Sequence, residues 1–257
     1  AIAGEKAGIM RPGVPSVVAP QSSAEVTAAF RERAAAIGAP LFEAGDTWRS
    51  FAKGEGFRFE SPSRTTDLPL PALPGAHQIV NAGVALACLD HLPGIVVSDE
   101  AVRRGLAEVS WPGRLQRLTR GPLVDRLPPG WDLWLDGGHN DSAGEVLGAQ
   151  AARWRETDGL PLKLIFGMLA TKEPKDFLRP LSGFASTLRA VSIPGEEASL
   201  SPDDAASAAR LVGIEDSEAV ESVDAALDAL IRHDASPTRV MICGSLYLAG
   251  AVLARNG

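Results

Sequence analysis

Leu135-Asp-Gly-Gly-His-Asn140 ends an apolar run with an acid, two glycines, an imidazole and an amide, just before a helical stretch. Glycines let a backbone approach a ligand closely. A helix N-terminus offers N–H donors to an anion. In that setting Asp136 is suited to accept hydrogen bonds from a ribose, and His139 to meet a phosphate. A tight strand-to-helix turn capped by Asn140 or Ser142 fits the same residues equally well. Trp111-Pro-Gly-Arg-Leu-Gln116 sets an arginine behind a turn, and the guanidinium fork matches phosphate oxygens. A surface arginine in a linker is the alternative. In Gly75-Ala-His-Gln-Ile-Val-Asn81, the last residue lies one helical turn from His77 and Gln78. An amide there has the donor and acceptor needed for an adenine edge, or it serves as a cap. Lys6 has small and apolar neighbours after it, as a desolvated lysine would; an exposed helix lysine paired with an acid is the commoner case. Lys172 and Lys175 follow a strand pattern and either face a substrate or begin a solvated helix. Gly244-Ser245 opens the last helical stretch and suits a carboxylate. His91 and His233 read as surface or helix-end histidines.

The elements that must position these residues fall into two regions. Up to about Leu118, Pro15–Pro20 reads as a short strand and 22–38 as a helix, with serine at its cap and Gly38 at its end. A strand at Ala39–Gly45 follows, then a meander of small strands over 45–71. Helices follow over 73–92 and over 98–109, the latter capped by Ser98. From Thr119 the rhythm changes. Strand patterns at 131–136, 161–169, 186–193 and 238–245 alternate with helices from Ser142, at 173–182, 202–211 and 221–232, and at the C-terminus. The expected fold class is α/β, with a mostly parallel, doubly wound sheet in the second region. Ligands of such sheets sit at the carboxyl ends of the strands. Asp136–Asn140, Gly167-Met168 and Gly244-Ser245 all fall just after strands. The linker is expected within 117–122.

Composition narrows the partners. The 257 residues carry a formal net charge of -7, with 45% hydrophobic and 5% aromatic residues. With no Lys/Arg run, nucleic acid is not an expected partner. No apolar stretch reaches the roughly 18 residues of a membrane span, and no signal peptide is visible. Cys88 and Cys243 lie in apolar runs and read as two buried, reduced thiols of a cytoplasmic protein. They have no metal-ligand spacing.

Taken in order, EKAGI-x-RPGVP, GAHQ-x-x-NA, WPGRLQ, LDGGHN, FGML and GSLYLAG resemble the folylpolyglutamate synthase/dihydrofolate synthase family of the Mur ligase superfamily. The similarity covers nearly the whole chain. It implies residues 1–118 as the later part of a central ATPase domain and 119–257 as a Rossmann-like C-terminal domain, with the nucleotide between the two. It further implies that ATP phosphorylates a carboxylate of dihydropteroate or folate, that L-glutamate attacks the acyl phosphate, and that Mg2+ bridges the phosphates. By position, Lys6 matches a lysine that is carbamylated and helps hold magnesium, an oxygen ligand of the kind that ion prefers. Asn81 matches the residue that reads adenine, Arg114 the arginine on the phosphates, and Asp136 the acid on the ribose. His139 lies beside it near the reacting end. Lys172 and Ser245 fall on the glutamate side. The resemblance also suggests a monomer.

The chain departs from the family in several places. No G-K-[ST] phosphate loop occurs in it, and the family's upstream metal ligands precede EKAGI. The resemblance therefore implies the back portion of a longer ligase, missing its N-terminal part and not expected to turn over alone. Asp141-Ser142 replace Pro-His after HN, and TKEPKD stands where an acidic run is usual. Two other readings are a Mur-type peptidoglycan or other amino-acid ligase, and a non-catalytic nucleotide- or glutamate-binding module.

Overall fold

A computed structural model describes residues 2–21 and 23–256. Ser22, where the expected helix begins, lies outside the described residues. The chain forms two compact units, Ala1–Ser110 and Trp111–Gly257.

The first unit begins with α1 (Ile2–Ala7), β1 (Ser16–Val18), α2 (Ala24–Ile37) and β2 (Leu41–Glu43). Ser23 caps α2 by accepting from the Glu25 N–H, and Gly38 ends it at φ 68°, a left-handed conformation open mainly to glycine. β1 and β2 pair in parallel, Ser16 opposite Leu41. Ala7, Met10, Val18, Phe30, Ala34 and Ala39 form the small core beneath them. The meander is β3 (Arg49–Lys53), β4 (Gly56–Glu60) and β5 (Thr65–Pro69), an antiparallel sheet in that order. Two-residue alternation along β4 turns Phe57 and Phe59 inward, onto Trp48, Leu68 and the apolar face of α3 (His77–Asp90). Ser98 caps α4 (Asp99–Glu108) through the Ala101 N–H. Buried positions on α3 recur as Ile79, Ala82, Gly83, Leu86 and Ala87. Cys88, one step further round, is exposed. The expectation of two buried thiols therefore holds only for Cys243.

The second unit is built on a sheet of β6 (Gln116–Leu118), β7 (Asp132–Leu135), β8 (Leu162–Phe166), β9 (Ala185–Ala190), β10 (Asp216–Ala219) and β11 (Arg239–Cys243). The strand order is β10-β9-β8-β11-β7-β6. Every pairing is parallel except β6 with β7. Two of these strands were not expected. β6 occupies part of the stretch read as a linker, and β10 is short and carries Asp216, Ser217 and Glu218, so neither shows an apolar run. Sheet side chains alternate between two cores. Leu164, Phe166, Met241 and Cys243 face α5 (Asp141–Thr157), α6 (Pro174–Leu178) and α7 (Pro202–Leu211). Leu133, Leu135, Ile165 and Ile242 face α8 (Val223–His233) and α9 (Leu246–Asn256). The helix after β7 and the helix after neighbouring β11 thus lie on opposite faces, so the chain reverses direction across the sheet between these two strands. Among the described residues, no helix is long and apolar enough to cross a membrane.

The amino ends of the strands hold buried cations. Arg239 donates to Asp132 at 2.9 Å and to Asp158 at 2.9 Å, and its guanidinium carbon lies 4.4 Å from the Trp154 ring centroid. Lys163 donates to the Asp234 carbonyl at 3.3 Å and lies 4.9 Å from the Trp131 ring centroid. Breaking a buried pair leaves an uncompensated charge. Arg239→Met should therefore destabilise the protein by about 3–5 kcal/mol, read as a lower urea midpoint. The Asp158 carboxyl is held below its usual range by hydrogen bonding to Arg239, against burial. Its contribution is present above an ordinary carboxylate pKa of about 3.9 and is lost as pH falls through the lower folded value. Asp158→Asn should flatten the fall of Tm below about pH 4.

Candidate functional site

The sequence places Asp136 as the first residue past β7, beside the reversal point of the sheet. Its carboxylate is buried, 8% exposed, and both oxygens are committed. Oδ1 accepts from the Gly138 N–H at 2.6 Å, and Oδ2 accepts from the Leu115 N–H at 2.8 Å. Hydrogen bonds to a charged acceptor are worth about 1.5–3 kcal/mol each, which offsets much of the cost of burying the acid. Burial still pushes the Asp136 carboxyl above its ordinary range, against the Gly138 and Leu115 N–H bonds and the nearby Arg114 and His139. The same burial, with the Asp136 charge close by, pushes the Cys243 thiol up, so this cysteine is not a nucleophile at neutral pH.

Those two bonds join two turns. Trp111-Pro-Gly-Arg114 closes with the Arg114 N–H on the Trp111 carbonyl at 3.3 Å. Gly113 has φ 70°, as a turn with proline second and glycine third requires. Its N–H donates to Gln116 Oε1 at 2.9 Å, and its carbonyl accepts from the Gly137 N–H at 2.7 Å. Leu115 follows at φ 42°, the one non-glycine residue with positive φ among those described. Such a backbone costs on the order of 1–3 kcal/mol. Its side chain is buried in the core against α5 and α6, so clamp and core together hold the strain.

The second turn needs glycine twice. A Cβ on Gly137 would run into Leu246. One on Gly138 would meet Asp136 Oδ1 at 2.7 Å and Ala143 Cβ at 2.8 Å. His139 Nδ1 lies 2.9 Å from the Gly137 carbonyl. A carbonyl only accepts, so Nδ1 is the donor in this contact and Nε2 is left out of it. Asn140 caps α5 through the Ala143 N–H at 2.9 Å. LDGGHN is thus a strand-to-helix turn capped by Asn140. Ser245 is buried and caps α9 by accepting from the Tyr247 N–H at 3.1 Å. Trp111, Leu246 and Tyr247 are exposed.

The sequence singled out Arg114, Asp136 and His139, and the structure brings them together. Ser245 lies in the same unit at the end of β11. Lys172 lies in the loop after β8, half-buried. Lys6 and Asn81 belong to the other unit. Lys6 is exposed on α1, so nothing in its own unit desolvates it. Asn81 is exposed on α3 and donates to Gln78 Oε1 at 2.9 Å, and Gln78 in turn meets His77 at 3.0 Å. Sequence reasoning missed Leu115 and Gln116, which sit inside a quoted motif but carry no reactive group. A cavity of about 310 Å3, lined among others by Leu123, Ser222, Val223, Leu248 and Arg255, lies on the α8–α9 face. It does not contain the Asp136 turns.

Gly138→Ala should displace the Asp136 clamp. We expect a loss of about 1–3 kcal/mol for overpacking so close to rigid neighbours, measured as a lower Tm.

Comparison with known proteins agrees with the geometry. Residues 128–255 match the family described as dihydrofolate synthetase, C-terminal domain. The chain is 30% identical over 264 residues to the dihydrofolate synthase/folylpolyglutamate synthase of Bacillus subtilis, covering 99% of this chain and 57% of the relative. The ligand-free bifunctional folylpolyglutamate synthase/dihydrofolate synthase of Yersinia pestis superposes with a TM-score of 0.79 at 27% identity, covering 98% of this chain and 56% of that one. A bifunctional folylpolyglutamate synthase/dihydrofolate synthase with Mn, AMPPNP and L-glutamate bound superposes at 0.77 and 26% identity, with the same coverage. The chain thus spans little more than half the length of these relatives. Family match, relatives and fold agree: the chain belongs to the folylpolyglutamate synthase/dihydrofolate synthase family of the Mur ligase superfamily.

Proposed function

We propose that the polypeptide carrying this chain joins L-glutamate to dihydropteroate, to folate polyglutamates or to both, using ATP. The observation that carries this reading is the pair of turns on Asp136. They set Arg114, the Gly137-Gly138 backbone and His139 at the carboxyl edge of a parallel sheet, where such sheets take nucleotides. The relatives support the choice of substrates. One was solved with AMPPNP, Mn and L-glutamate, and an Escherichia coli relative with DHPP and ADP.

In this reading a carboxylate oxygen of the pteroate or folate attacks the γ-phosphorus of ATP, and ADP leaves. The glutamate nitrogen then attacks the acyl carbon, phosphate leaves, and the nitrogen gives up a proton. Arg114 meets the nucleotide phosphates with a planar donor fork. Asp136 faces the ribose and Asn81 the adenine edge, where an amide supplies donor and acceptor together. His139 stands near the reacting end with Nε2 available for a proton. Lys172 and Ser245 lie on the glutamate side, where an ammonium and a hydroxyl suit carboxylates. Bound magnesium neutralises charge on the phosphates. Lys6 would offer it one carbamate oxygen. The described residues contain no group of three His, Cys, Asp or Glu able to hold a metal, so they do not form that site by themselves.

The test is an assay of the full-length polypeptide with ATP, Mg2+, L-glutamate and either dihydropteroate or tetrahydrofolate. Glutamate-dependent ADP release, with a product heavier by one glutamyl residue, is expected. ADP release only with a UDP-sugar acid, or none with any acceptor, would contradict the reading.

A further inference from the structure

We propose that Asp136, besides facing the ribose, is a positioning residue for Arg114, and that part of its effect on nucleotide affinity acts through that arginine. The inference rests on the nucleotide reading above and adds to it a task for Asp136 that the resemblance does not imply.

The carboxylate takes one bond from the protein's own backbone at each oxygen. Oδ2 takes the N–H of Leu115, the residue directly after Arg114. Oδ1 takes the N–H of Gly138, the residue directly before His139. The Leu115 bond falls at the one non-glycine position with positive φ among the described residues. Leu115 relaxing into an ordinary conformation would rotate the peptide that joins it to Arg114 and swing the guanidinium away. A leucine has no side-chain acceptor to hold that conformation, so the holding group must come from elsewhere, and Asp136 supplies it. A second brace acts on the same turn from the other side, where Gln116 Oε1 accepts the Gly113 N–H. Arg114 itself is exposed at the tip. Its direction is therefore set by the backbone beneath it.

A double-mutant cycle on ADP binding to the full-length polypeptide, followed by calorimetry, separates a positioning residue from an independent contact. If Asp136 also works through Arg114, Asp136→Asn and Arg114→Ala should each weaken ADP about tenfold, and the double variant by clearly less than the product of the two. Independent contacts would multiply to about a hundredfold, and that result would overturn the proposal. Amide exchange gives a second readout. Asp136→Asn should speed exchange at Leu115 and Gly138, whereas Arg114→Ala should leave both protected; unchanged protection in Asp136→Asn would also overturn the proposal. Should Asp136→Asn fail to fold, Gln116→Ala takes its place in the cycle. It loosens the same turn without touching the carboxylate, and it should be equally non-additive with Arg114→Ala. A wild-type protein that binds no ADP would instead sink the nucleotide reading, and this inference with it.

Discussion

A carboxylate that must stay buried at the end of a sheet strand constrains everything around it. Asp136 sits buried at the carboxyl end of β7, where a lost hydrogen bond is costly, and backbone N–H groups of two turns supply the bonds its oxygens accept. Two segments far apart in sequence have to bend to supply them. The 111–116 segment does so by placing a leucine in a strained conformation, and the 137–139 segment does so by dispensing with side chains at two successive positions. The exposed arginine and the imidazole are consequences of how those bends are satisfied.

The sheet separates structural charge from reactive charge. Arg239 and Lys163 lie at the amino ends of buried strands, caged by carboxylates, carbonyls and tryptophan rings. The Arg239 charge is balanced by Asp132 and Asp158, and Lys163 is held by a carbonyl and a ring. Arg114 and His139 lie at the carboxyl ends, held by backbone contacts that leave the donor face of one and the Nε2 of the other uncommitted to the clamp. The reversal between β7 and β11, with α5 and α9 on opposite faces, opens the edge of the sheet at this point.

Much of this was legible in the residues. The caps at Ser23, Ser98 and Asn140, the left-handed Gly38, and the apolar runs of β8 and β11 announce themselves through side-chain chemistry and spacing. The site motifs were visible because glycine, histidine and aspartate are rarely placed together after a strand without need. What escaped were elements whose warrant is tertiary. β6 is an edge strand of three residues that pairs antiparallel against the trend of its sheet, and β10 is polar and pairs only with β9. Leu115 is a core residue by its side chain, and its unusual backbone goes with a hydrogen bond to a residue that comes later in the chain. Cys88 falls on the outer side of α3 because a helix turns about 100° per residue, and its apolar neighbours hid that.

The account comes down to where a nucleotide sits. A crystal structure of the full-length polypeptide with ADP and Mg2+ tests it most directly. The account predicts phosphate density within hydrogen-bonding distance of the Arg114 guanidinium and over the Gly137-Gly138 backbone. Well-ordered nucleotide elsewhere, for instance in the cavity between Leu123, Val223 and Leu248, with the Asp136 turns empty, would contradict it.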